Sequence, residues 1–134
     1  MQLMRLKNGV MCSYQQCHYS PDNWRNYTII GTKGRVENFN DSPGRTVVRV
    51  WNERRCQYNE YGDHQFFIPP AKGGHGGADP VMVNEFISAI RGQAAPSTSP
   101  IAARYSVAAG CCATESLRNG SVPMTVPALA KELE

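Results

Sequence analysis

The stretch Pro69–Gly92, PPAKGGHGGADPVMVNEFISAIRG, is where this sequence changes character. Before it, β-branched and aromatic runs alternate with turn residues, and after it apolar residues recur at helical spacing. Within it, the glycine-rich loop Ala71–Ala78, AKGGHGGA, leads to Asp79 as a helix N-cap with Pro80 at the first helical position. An N-cap carboxylate satisfies an orphan amide at a helix start, and proline has no amide to leave unpaired there. Val81, Phe86 and Ile90, with Met82 and Ala89 a turn apart, give the predicted helix an apolar stripe, and Gly92 stops it.

Upstream, Asn8-Gly9 separates Gln2–Lys7 from Val10–Tyr19, which predicts an opening β-hairpin with a two-residue turn. Tyr27–Gly31 and Arg35–Phe39 flank Thr32-Lys33-Gly34, and Thr46–Asn52 and His64–Ile68 extend the series. The count is about six strands, mostly antiparallel because their connections are short. Downstream, Ser99-Pro100 repeats the cap-then-proline signal and opens a second helix to Arg118, which Asn119-Gly120 ends. Pro123–Val126 is expected to return as a short edge strand before the polar tail PALAKELE.

Strands first and helices second predict an α+β fold: a mostly antiparallel sheet with two helices packed on one face and the other face open. Along Val10–Tyr19 one side carries Val10, Cys12, Tyr14, Gln16 and His18, and the other Met11, Ser13, Gln15, Cys17 and Tyr19. Neither side is charged, which suits a sheet whose open face meets another protein surface, and a homo-oligomer is expected.

A length of 134 residues predicts one domain over positions 1–134. With 41% hydrophobic and 19% charged residues, the chain has the composition of a folded protein. No apolar run reaches the ~18 residues of a membrane span, and MQLMRLKNGV lacks the apolar core of a signal peptide. No membrane association and a cytoplasmic location are expected. The net charge of +3 is scattered over residues such as Arg5, Lys33, Arg35, Arg45 and Arg91, unlike the concentrated basic face of a nucleic-acid binder. Five cysteines without a CxxC pair predict reduced thiols with no metal site.

Three stretches together resemble the carboxy-terminal domain of the glucose-fructose oxidoreductase, inositol dehydrogenase and MocA family. They are NGVMCSYQQCHYSPDNWRNYTIIGTKGRVEN (Asn8–Asn38), GGHGGADPVMVNEFISAIRGQAAPSTSP (Gly73–Pro100) and ARYSVAAGCCATESLRNGSVPMTVP (Ala103–Pro127). Each pattern alone is common; their order and spacing carry the resemblance. It implies a parent NAD(P)-dependent oxidoreductase acting on a sugar, polyol or related hydroxyl compound. In that family an amino-terminal Rossmann domain binds NAD or NADP, and this domain completes the substrate pocket and builds the oligomer. Within the chain there is no strand followed by G-x-G-x-x-G and a helix, and the family's E-K-P lysine motif is missing. The chain is therefore read as a piece of a longer protein, with the Rossmann domain and catalytic residues outside it, and no cofactor is expected to bind it alone.

The resemblance and the residues together nominate His75, His18, Tyr19 and Trp24 as substrate-binding. His75 is a glycine-flanked imidazole just before a helix start, where a ligand can approach closely. His18 and Tyr19 end the predicted long strand, and Trp24 with Arg25 lies in the following loop, SPDNWRN, where a flat ring suits a sugar face. Each also has an ordinary structural reading: a chain reversal around His75, a core-edge cover by Trp24, an oligomer contact for His18 and Tyr19. His64 alternates with Phe66 and Ile68 as a plain strand residue. Two alternatives stand beside the oxidoreductase reading: a non-catalytic binding or assembly domain, and part of a redox-cofactor-assisted glycosidase of the same family.

Overall fold

The computed structural model describes residues 1–42 and 44–130. Six strands precede two helices: β1 (Gln2–Arg5), β2 (Met11–Tyr14), β3 (Thr28–Gly31), β4 (Gly34–Phe39), β5 (Val47–Trp51), β6 (His64–Phe67), α1 (Ala78–Ile90) and α2 (Pro100–Arg118). All strand pairings are antiparallel, so the α+β class and the strand and helix counts agree with the sequence reading. The single expected sheet is instead two: β1-β2, and a four-stranded sheet in the order β3-β4-β5-β6. The chain correspondingly forms two compact units, Met1–His18 with Glu85–Glu134, and Tyr19–Asn84. Among the described residues no helix is long and apolar enough to cross a membrane.

β2 is shorter than the expected Val10–Tyr19. Its last residue, Tyr14, pairs with Gln2, the first residue of β1. Polar side chains then form local bonds: Tyr14 donates its hydroxyl to Gln16 Oε1 at 2.8 Å, and Ser20 donates to Asp22 Oδ1 at 2.8 Å. His18 and Tyr19 consequently lie in a bend and not at a strand end. The hairpin loop also has three residues, Lys7-Asn8-Gly9. Gly9 N–H donates to Leu6 O at 2.9 Å, Leu6 N–H donates to Val10 O at 2.8 Å, and Gly9 takes the left-handed φ of 90° that closes such a turn.

In the Tyr19–Asn84 unit the register sorts side chains by the strand period of two. Arg35, Glu37, Phe39, Val47, Arg49 and Trp51 share one face, and Ile29, Val36, Val48, Val50, His64 and Phe66 share the other. On the first face Val47 is buried to 7% exposure, the Arg35 guanidinium stacks 3.8 Å from the Trp51 ring centre, and that of Arg49 lies 4.4 Å from Phe39. His64 occupies the ordinary strand position its alternation predicts, opposite Val50.

In the other unit, Gln2 Nε2 donates to Ala109 O of α2 at 3.3 Å, tying the hairpin to the helix. Helix α2 starts as its sequence dictates, with Ser99 Oγ accepting from Ala102 N–H at 3.1 Å and Pro100 following. Arg104, Ala108, Cys112 and Ser116, four residues apart, form its less exposed stripe. The expected edge strand at Pro123–Val126 is not formed; this segment returns along α2 through side-chain bonds. Ser116 donates to Val122 O at 2.6 Å, Cys112 Sγ to Thr125 O at 3.9 Å, and Arg104 to Pro127 O at 2.6 Å. Prolines 123 and 127 lack the N–H groups a ladder needs. The last four residues of the tail lie outside the described residues.

Thr32 and Lys33 alone link β3 to β4, with Gly31 and Gly34 paired across the turn. Gly34 has φ of 153°, and a Cβ there would collide with the Trp51 carbonyl oxygen of β5. Gly34→Ala should therefore destabilise the unit by about 1–3 kcal/mol, while Lys33→Ala stays within about 0.5 kcal/mol. Urea denaturation followed by tryptophan fluorescence checks this, and equal midpoints for the two variants would contradict it.

Candidate functional site

The glycine-rich loop closes on itself as one turn, Gly74–Gly77, directly before α1. Inside it His75 (φ 49°, ψ 44°) and Gly76 (φ 66°, ψ 28°) are left-handed. Left-handed backbone reverses the chain in a short space, and a residue with a Cβ adopts it at a cost. Because α1 begins at Ala78, Asp79 is inside the first helical turn and is not the N-cap expected from the sequence. Its carboxylate instead reaches back to His75, with Nδ1 2.9 Å from Oδ1 and 3.0 Å from Oδ2. A Cβ on Gly74 would strike Asp79 Oδ2, so the glycine clears the space for this carboxylate. An ionised carboxylate only accepts hydrogen bonds, so Nδ1 is the donor and Nε2 is the nitrogen left for a ligand. The His75 side chain is 85% exposed.

Trp24 lies on a segment fixed to the end of β4. Arg25 N–H donates to Asp41 Oδ2 at 3.0 Å, Asn38 Nδ2 donates to Arg25 O at 2.8 Å, and Asn38 Oδ1 accepts from Tyr27 N–H at 2.6 Å. Amide side chains thus hold the backbone while the Trp24 ring stays 58% exposed. Tyr19 is 96% exposed. Among the described residues no hydrogen bond or ion pair joins Tyr19, Trp24 and His75, which belong to one compact unit. His18 is exposed and belongs to the other unit.

The family model described as "Oxidoreductase family, C-terminal alpha/beta domain" matches residues 2–126. The chain belongs to this family. Among curated proteins and among solved structures, nothing matches it.

The sequence reading overlooked a second polar feature of this oxidoreductase-family domain, the β5–β6 connection. Asp63, 4% exposed at its side chain, accepts from the backbone N–H groups of Asn52 at 2.7 Å and Glu53 at 2.8 Å, and pairs with Arg55 at 2.8 Å. Trp51 Nε1 donates to Asn59 O at 2.5 Å and Asn59 Nδ2 to Gly62 O at 2.9 Å, so the loop is held at both ends. Arg55, Cys56, Gln57, Tyr58 and Asn59 line a shallow depression of about 460 Å³. The available signal was an isolated Asp63 eight residues after the basic step Arg54-Arg55, which a reading by strand period passes over.

The amides of Glu53 and Asn52 hold the Asp63 carboxyl below the ordinary carboxylate range, with Arg55 adding to the effect. A carboxyl whose folded pKa is depressed stabilises the fold above its unfolded value, near 3.9, and loses that contribution as pH falls through the folded value. Acid should therefore weaken the wild-type sheet as pH drops from about 5 toward 2, and Asp63→Asn should lower stability at neutral pH and flatten that dependence. Denaturation series at several pH values, read by tryptophan fluorescence, test this; an unchanged pH slope in Asp63→Asn would reject it.

Proposed function

We propose that this chain is the substrate-pocket and oligomerisation domain of an NAD(P)-dependent oxidoreductase acting on a sugar, polyol or related hydroxyl compound. The observation that carries the reading is the family match over residues 2–126. The loop Gly73–Gly77 supports it, because its one side chain is an exposed imidazole with a free acceptor nitrogen. Such a nitrogen suits a hydroxyl donor, and an exposed tryptophan such as Trp24 suits the apolar face of a sugar ring. Tyr19, in the same compact unit as Trp24 and His75, is a further proposed substrate contact.

The residues present do not fit a dinucleotide. The only glycine-rich segment is GGHGG, which follows Pro69-Pro70 and a loop, and its glycines do not have G-x-G-x-x-G spacing. In this proposal NAD or NADP is held by a separate domain, and this chain contributes binding and orientation of substrate.

Self-association is proposed through the uncharged face of the four-stranded sheet. Ile29, Val36 and Phe66 there are 69%, 37% and 56% exposed. Covering such side chains gains about 25 cal/mol per Å² of apolar surface, which makes a second copy a favourable cover.

Two measurements test the two halves of the proposal. In the protein that joins this domain to its dinucleotide-binding partner domain, His75→Ala should lower kcat/KM by roughly 3- to 10-fold, the loss of one hydrogen bond, without changing cofactor affinity. An unchanged kcat/KM would return His75 to a structural role. Sedimentation velocity should show a concentration-dependent oligomer that Phe66→Asp dissociates, and a monomer at every concentration would reject the interface.

A further inference from the structure

We propose that Asp79 is a positioning residue for His75: it fixes the Nδ1–H tautomer and so presents Nε2 as a hydrogen-bond acceptor for a hydroxyl group of the ligand. The inference rests on the substrate-loop reading above and adds to it the group that makes the imidazole an acceptor at the exposed nitrogen.

The geometry and the relative magnitudes point the same way. Both carboxylate oxygens of Asp79 lie within 3.0 Å of Nδ1, so the proton on that nitrogen has an acceptor on either side. The pair is exposed, at 85% for His75 and 45% for Asp79, so solvent screens it and it adds little to stability. The left-handed backbone of His75 carries a steric cost that glycine would avoid. As a stabilising device the arrangement loses; a glycine at position 75 would turn the chain better. What the strained histidine provides is an oriented ring. A neutral imidazole free in water carries its proton on either nitrogen, whereas one held against a carboxylate through Nδ1 keeps Nε2 unprotonated. Gly74 belongs to the same device. Its φ is ordinary, so another residue could adopt its backbone, yet any Cβ there would displace Asp79 Oδ2.

The test uses the full chain with ¹⁵N-labelled histidine. His18 and His64, the only other histidines, serve as internal references. Long-range ¹H–¹⁵N correlations, recorded at a pH high enough that the ring shifts no longer change, report which nitrogen of each ring is protonated. In the wild type His75 should be predominantly Nδ1-protonated. Asp79→Ala should reverse this, moving Nδ1 into the unprotonated range of nitrogen shift and Nε2 into the protonated range. Gly74→Ala should do the same with Asp79 still present, because it displaces the carboxylate. Unchanged His18 and His64 signals show that a variant is folded. A wild-type His75 protonated at Nε2, or a tautomer indifferent to both substitutions, overturns the proposal. If Asp79→Ala does not fold, the wild-type and Gly74→Ala spectra decide. No substrate enters this measurement, so its failure removes the role of Asp79 alone, whereas an unchanged kcat/KM in His75→Ala removes the reading beneath it.

Discussion

Strand β5 is hydrogen-bonded on both edges, to β4 through Val47–Trp51 and to β6 through Val47–Val50, and the Tyr19–Asn84 unit depends on that double pairing. It positions the one hydrophobic side chain that is buried among the described residues, Val47, and sets Trp51 beneath the Arg35 guanidinium. Each guanidinium stack contributes about 0.5–1 kcal/mol at an exposed site, and burying one valine about 1.5–3 kcal/mol. With so small an apolar core, the ladder and the loop anchors around it carry a large share of the order. Asp63, which accepts from the amides leaving β5, is one of those anchors.

The other unit solves a different problem by different means. Its returning segment contains Pro123 and Pro127, so it cannot supply the run of donors an edge strand requires. Side chains at positions 104, 112 and 116 of α2, each a turn or more from the next, donate to its carbonyls instead. Tyr105 extends the pattern by accepting from Leu129 N–H at 3.3 Å. The helix thus serves as a rack of donors, and the small residues Ala108, Ala109 and Ala113 lie on its less exposed side.

The features readable in the sequence are those fixed within a few residues. Ser99-Pro100 starts α2 as predicted, and Gly92, with φ of 67°, ends α1 through Gly92 N–H to Ala89 O and Gln93 N–H to Ser88 O. The runs that became β3 to β6 were legible from β-branched and aromatic residues between turns. What failed depended on partners far along the chain. The division into two sheets depends on which strands find a neighbour, which local composition does not encode. In the glycine-rich loop, His75 was visible from its glycines, while its link to Asp79 was hidden by a competing rule. An aspartate before a proline reads as an N-cap, and only the left-handed turn at His75 starts the helix early enough to free that carboxylate. The four-residue spacing of His75 and Asp79 was the available signal.

The two faces of the four-stranded sheet bear on the proposed assembly. An antiparallel sheet with one wet face ordinarily alternates apolar and polar residues so that charge faces water. Here the face with charge, Arg35, Glu37 and Arg49, also holds Val47 and the stacked aromatics, so its cations lie over rings. The opposite face carries no Asp, Glu, Lys or Arg on β3 to β6 and leaves Ile29 and Phe66 more than half exposed, as the charged face leaves Ile30 and Phe67. Apolar residues thus meet solvent on both faces, and only the opposite face does so without charged strand neighbours, a conflict of composition and exposure. Among ways of resolving that conflict, pairing with a second copy needs no new sequence feature, because an isologous contact sets the same uncharged strands against one another.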